Sequence, residues 1–220
     1  MSRFCCIVGA GEFSREELLI PEGALVIAAD AGLTHLESAG ITPDLIVGDF
    51  DSLAQRPEGA NVVFHCPEKD DTDMLLAVRE ALGRGRETLL IFGGLGGRPD
   101  HEFANFQTLA FIAEQGAHGF LVGRGFVCTV LQNGRMAFDG GQRGVLSVFC
   151  QGGRAEGVTL TGLKYPLTDH TLTNSYPLGV SNAFTGAPAA VSVRDGALLL
   201  MWQADAAGLA QLLNHSKDKD

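Results

Sequence analysis

Thr88-Leu89-Leu90-Ile91-Phe92-Gly93-Gly94-Leu95-Gly96-Gly97-Arg98-Pro99-Asp100-His101 joins an apolar run to a glycine-rich loop and then to a helix start. Thr88–Phe92 does not alternate apolar with polar residues, so it reads as a strand covered on both faces, as in a parallel sheet. Pro99 and Asp100 suit a first helical turn, and Phe103, Phe106, Gln107, Ala110 and Phe111 carry the helix on to Gly116. Backbone amides of such a loop, with the helix N-terminus behind them, can hold phosphate oxygens, and Arg98 adds a fork suited to phosphate. A plain flexible turn is the alternative. The loop is not a Walker A motif, because no Gly-Lys-Ser/Thr closes it. Nor is it GxGxxG, because Pro99 stands where the last glycine would be. His101 reads two ways, as a phosphate-orienting group or as a helix-start residue bonded to its own loop.

Upstream the same texture repeats. Phe4–Val8, Leu25–Ala29, Leu45–Val47 and Val62–Phe64 are further strand-like runs, and Met74, Leu75, Val78 and Leu82 mark a helix after Asp71-Thr72 that ends near Gly83. Carboxylates follow these strands: Asp30 the second, Asp49 and Asp51 the third, Asp70, Asp71 and Asp73 the fourth, and Asp100 lies beyond the fifth. The carboxyl ends of parallel strands form the ligand crevice of an open sheet, so this order gathers acids in one place. Such a cluster is costly unless a cation sits in it, and Mg²⁺ with its preference for oxygen is the natural candidate. Loop aspartates also serve as caps and turn residues, which is the reading for Asp44 after Pro43. Gly9-Ala10-Gly11-Glu12 reads first as a tight turn, with nucleotide approach as the alternative.

Beyond Asn133-Gly134 the chain turns to short runs, 145–150, 158–160, 171–173, 189–193 and 197–201, separated by Gly, Asn, Asp or Pro. The expected fold is therefore α/β: an N-terminal open parallel-sheet domain over residues 1–134, followed by a smaller antiparallel β-sandwich-like domain over 135–220. Residues 118–131 are expected to close the first domain. Asn133-Gly134 and Asp195-Gly196 are expected to be hairpin turns, and 209–213 a last short helix.

The net charge of −10 argues against nucleic acid as a partner, and no apolar run is long enough to cross a bilayer. The N-terminus lacks the pattern of a signal peptide. The five cysteines lack CxxC spacing, so free thiols in a reducing cytoplasm are expected.

With these residues in view, the chain resembles the thiamine pyrophosphokinase family. The matching segments are Asp30-Ala31-Gly32, Gly48–Ser52, Asp70–Asp73, Gly93–His101 with Asn105 and Gln107, Gly162–Leu167 and Gly179–Phe184. The resemblance implies transfer of diphosphate from Mg·ATP to the hydroxyl of thiamine, in a homodimer with active sites shared between subunits. It implies Asp49, Asp51 and Asp73 as Mg²⁺ ligands, and Asp30, Gly94, Gly96, Gly97, Arg98 and His101 at the ATP. Arg98 and Asp100 belong to the reaction site, and either Asp100 or a metal-site aspartate takes the hydroxyl proton. Ser181 and Asn182 are implied beside thiamine, with Trp202 stacked on its pyrimidine. Many relatives have Asp-Gly-Gly here, and this chain has Ala31 in place of the first glycine. If that position requires positive φ, alanine there is strained.

Overall fold

The computed structural model describes residues 2–49, 59, 61–64 and 71–215. Two compact units divide the chain, Met1–Arg124 and Gly125–Asp220.

The first unit is built on β1 (Phe4–Val8), β2 (Leu25–Ala29), β3 (Leu45–Gly48), β4 (Val62–Phe64), β5 (Thr88–Phe92) and β6 (His118–Gly123), with α1 (Gly32–Ser38), α2 (Asp73–Gly83) and α3 (Pro99–Glu114) between them. The strands lie in the order β4-β3-β2-β1-β5-β6. Every pair is parallel. β1 and β5 are buried along their whole length, which is why their sequences are apolar without alternation. The winding runs outward from β1 to β4 and then returns to β5 on the other side of β1. The sheet therefore has its switch point between β1 and β5.

The helices are fixed by local chemistry as well as packing. Thr72 Oγ1 accepts a hydrogen bond from Leu75 N at 3.2 Å and caps α2, whose Met74, Leu76, Ala77, Val78 and Ala81 are buried. Such a cap is worth about 1 kcal/mol. Pro99 opens α3 with Asp100 and Glu102 in its first turn, where negative charge meets the positive end of the helix. Its buried face carries Asn105, Thr108, Leu109 and Ile112. Ala31 has φ −64 and ψ −6, ordinary helical values, so alanine is not strained there. The left-handed residue is Asp30, with φ 47. Asp44 has a structural role, but not within its own turn: its Oδ2 accepts from Val26 N in β2 at 2.8 Å.

The second unit contains β7 (Phe126–Gln132), β8 (Arg135–Phe138), β9 (Val145–Thr161), β10 (Leu167–Thr173), β11 (Asn182–Ala183), β12 (Ala189–Ser192), β13 (Asp195–Gln203) and α4 (Ala206–His215). Residues 145–150 and 158–160, expected as separate strands, belong to one long β9. Its first part pairs with β13 and β11, and its second part with β10 and β12. One strand thus serves two antiparallel sheets, and Gly152, at φ 98, lies between the parts. Strands that switch sheets make the corners of a sandwich.

Two sequence expectations change here. Asn133-Gly134 and Asp195-Gly196 are not hairpin turns, because β7 and β13 pair with each other while β8 and β12 pair in the other sheet. Each turn carries the chain from one sheet to the other. They also bond to each other: Asn133 N donates to Gly196 O at 3.1 Å, and Gly196 N donates to Asn133 Oδ1 at 2.8 Å. Residues 126–132 likewise pair with β13 and lie in the second unit, so the division falls at Arg124 and not at Gly134.

Candidate active site

A cavity of about 360 Å³ opens at the carboxyl ends of the first unit's strands, at the switch point. Open parallel sheets take their ligands at this place. The loops after β1 and β5 form its floor. Gly9 N donates to Phe92 O at 2.8 Å, Gly11 N to Gly93 O at 2.7 Å and Glu12 N to Leu95 O at 2.9 Å, so the two loops prolong the ladder of their strands. Gly93 has φ 62, and a Cβ there would run into the carbonyl oxygen of Gly9. Only glycine lets the loops close up. Their pairing uses the amides of Gly9 and Gly11, whereas those of Gly94, Gly96 and Gly97 donate to no acceptor among the described residues. Gly96 and Gly97 are both left-handed, at φ 75 and 80. Amides left free in such a loop, at the start of α3, suit an anion.

Two side chains hold this floor in place. Asn105 Nδ2 donates to Gly94 O at 2.7 Å from a residue only 8% exposed. His35 Nε2 lies 3.0 Å from Gly11 O and its ring stacks on Phe13 at 4.9 Å. A carbonyl oxygen can only accept, so Nε2 carries the proton. Sequence reasoning assigned no role to His35 and named Asn105 only as part of a motif. The available signal was a polar residue on the buried 105/108/109/112 face of α3.

Asp30, Asp73, Gly94, Gly96, Gly97, Arg98 and His101 all line the cavity, together with Thr72 and Asn105. Among the described residues Asp30 Oδ1 is enclosed without a hydrogen-bond partner. Asp73 is the first residue of α2. Asp49 follows β3, half-buried, and is not part of the cavity wall. Asp51 and Asp70 lie outside the described residues. Asp71 pairs with Arg79 at 3.1 Å. Among the described residues no group of three acid, His or Cys side chains is set to hold a metal. Mg²⁺ commonly takes only one or two carboxylates and completes its shell with phosphates and water. The donor set fits that pattern, with Asp73 in the same wall as the glycine loop.

Arg98 stands at the N-cap of α3 and is forked onto Asp100, with Nη2–Oδ2 at 2.7 Å and Nε–Oδ1 at 3.2 Å. This hydrogen-bonded pairing, with the His101 amide adding a further bond, holds the Asp100 carboxyl down at about 2. Arg98 is correspondingly raised by the same partner. A carboxylate so committed is a weak proton acceptor. His101 is exposed in the cavity wall, and it is its backbone amide that bonds Asp100.

In the second unit, Ser181 is exposed, with φ 57 and its amide donating to Ser147 Oγ at 3.0 Å. Asn182 is 3% exposed and fully engaged: Nδ2 donates to Tyr165 O at 2.7 Å, while Oδ1 accepts from Tyr165 N and Ala183 N. It ties the Tyr165 turn to β11. Trp202 is also 3% exposed, on the inward face that Leu198 and Leu200 share, with Phe138 edge-on at 5.5 Å. As placed, its ring has no open face for a pyrimidine.

Two family models match this chain: "Thiamin pyrophosphokinase, catalytic domain" over residues 17–120 and "Thiamin pyrophosphokinase, vitamin B1 binding domain" over residues 137–198. The chain belongs to the thiamine pyrophosphokinase family. The first match ends within β6, close to the division between the units, and the second stops short of Trp202. The family's "Thiamine pyrophosphokinase" of Bacillus subtilis (strain 168) is 31% identical over 198 residues, which cover 84% of this chain and 89% of that protein. Among solved members, a thiamine pyrophosphokinase from Bacillus subtilis superposes with a TM-score of 0.80 at 28% identity, covering 92% of this chain and 99% of that one. One from Geobacillus thermodenitrificans reaches 0.77 at 28% identity, covering 93% and 99%.

Proposed function

We propose that this chain transfers the diphosphate group of ATP to the hydroxyl of thiamine, giving thiamine diphosphate and AMP. The observation that carries the reading is the cavity at the switch point, where free glycine amides, Arg98 and Asp73 converge in a chain of this family. The triphosphate lies on Gly94, Gly96 and Gly97, and the thiamine hydroxyl attacks the β-phosphorus in line. Transfer of this kind needs positioning and charge neutralisation more than covalent help. Asp73 would hold Mg²⁺ from the cavity wall, with Asp49 and Asp51 from the loop after β3, and the ion when bound would neutralise the triphosphate charge. The glycine amides and Arg98 stabilise the charge that gathers on the transferred group. Asp100 acts through Arg98, presenting its guanidinium at the loop, and a loose transition state asks little of a base. Asp30 and His101 complete the nucleotide wall.

Ser181 meets thiamine, while Asn182 and Trp202 support the surface around it from within. Two copies of the chain form the working enzyme and share their active sites. Tyr165, Tyr176, Leu178 and Val180, all exposed in the second unit, supply apolar surface for a partner copy. Cys5, Cys6 and Cys150 are free thiols, as suits the cytoplasm, and no described helix is long and apolar enough to cross a membrane.

The test is to incubate the purified protein with Mg²⁺, ATP and thiamine and to separate the products. AMP and thiamine diphosphate should appear in equal amounts. ADP with thiamine monophosphate, or no product at all, would reject the reading. Light scattering should give twice the chain mass.

A further inference from the structure

Asp30 carries more structure than a loop aspartate needs. It is the first residue past β2, the strand beside β1, and it lines the cavity at the switch point. Its backbone is held from both sides: its amide donates to Val47 O at 2.8 Å, and its carbonyl accepts from Leu33 N at 3.2 Å. It is left-handed at φ 47, a conformation that aspartate adopts only at some cost. Among the described residues its Oδ1 is enclosed with no partner, and no lysine, arginine or histidine there pairs with it. An ionised carboxylate only accepts hydrogen bonds, so this site is built to receive a donor.

The donors that a nucleoside triphosphate brings are its ribose hydroxyls and its base amine. In open parallel sheets the phosphates lie on a glycine turn at the switch point, and an acid near the end of the strand beside β1 takes a ribose hydroxyl. Here the phosphate cradle follows β5 and the acid follows β2, with β1 between them.

We propose that Asp30 reads the ribose of the nucleotide by accepting a hydrogen bond from one of its vicinal hydroxyls, so that it fixes the sugar while the glycine loop fixes the phosphates. The proposal rests on the ATP-dependent reading above. It makes Asp30 a specificity residue, because a nucleotide lacking the hydroxyl leaves the enclosed carboxylate unpaired.

The test compares ATP, 2′-deoxy-ATP and 3′-deoxy-ATP on the native enzyme and on Asp30→Gly and Asp30→Asn. Glycine and asparagine both accept the left-handed backbone, so these variants remove the carboxylate without straining the turn. Thermal unfolding confirms that they fold. Two quantities are read: kcat/KM with thiamine, and the nucleotide Kd measured without Mg²⁺. The native enzyme should prefer ATP over one deoxynucleotide by roughly tenfold or more, the range of a hydrogen bond to a charged group. In Asp30→Gly that preference should shrink to within about twofold of unity, with the KM for thiamine unchanged. A native enzyme indifferent to both hydroxyls would overturn the proposal, as would a variant that keeps the native preference. Equal loss with all three nucleotides, together with a raised Mg²⁺ requirement, would overturn it in favour of a metal ligand. Equal loss without that requirement would point to the base amine and also overturn it. A native protein that binds the nucleotides with this preference yet makes no thiamine diphosphate would sink the proposed reaction and leave the ribose contact standing.

Discussion

Asn105 reaches back from α3 and donates its Nδ2 proton to the carbonyl oxygen of Gly94 at 2.7 Å, tying the glycine loop to the helix that follows it. Both residues are buried, at the edge of the cavity. Asn105→Ala should cost about 1–3 kcal/mol, the penalty for an enclosed carbonyl left unpaired. It should also raise the KM for ATP and leave that for thiamine unchanged. Urea unfolding and steady-state kinetics check both. Asn105→Asp should be worse, since it sets an acceptor against an acceptor.

Asp73 opens α2 and faces the cavity. Asp73→Asn should lower kcat at least about a hundredfold if it holds the metal at the phosphates. The fold should survive, because losing a charge at a helix N-terminus costs only about 0.3–1 kcal/mol. Near-native turnover in a folded variant would reduce Asp73 to a helix-dipole residue.

The Arg98–Asp100 fork gives a pH signature. The folded-state carboxyl titrates at about 2, below its ordinary 3.8, so its contribution to stability is present above pH 3.8 and is lost as the pH falls through about 2. Both groups are exposed, so the effect is small and weakened by salt. Unfolding curves of the native protein and Asp100→Asn should converge across that acid window. Kinetically, Arg98→Lys should lose more activity than Asp100→Asn, because lysine cannot replace the planar fork on phosphate.

Trp202 is enclosed among Leu198, Leu200 and Phe138. Trp202→Ala should cost about 3–5 kcal/mol in unfolding experiments. Trp202→Phe keeps most of the packing, so the KM for thiamine should stay within about twofold of native. A tenfold rise in a stable Trp202→Phe would return the ring to the substrate.

Much of the first unit was legible because its signals are local. Thr88–Phe92 is apolar throughout since a parallel strand is covered twice, and Pro99 with the acids after it marks the start of α3 in one dimension. The glycine loop and Arg98 were visible for the same reason. Asn105 was harder to read, because its meaning depends on a carbonyl eleven positions earlier in the chain that only the folded loop brings to it. Asp30 was read as a site residue, but the enclosure of its Oδ1 is a property of its surroundings.

The amino-acid order alone determined the strand-loop-helix series, the line of acids at the strand ends and the family to which the chain belongs, because those are properties of neighbours along the backbone. Tertiary structure decided which turns join paired strands. Asn133-Gly134 has the composition of a hairpin, yet the sheets it connects are set by where β9 divides its pairing, so the local preference for a tight turn is kept and its partner changed. It also decided the environment of Trp202. Burial depends on what packs against a ring from distant parts of the chain, and a single side chain carries no record of that.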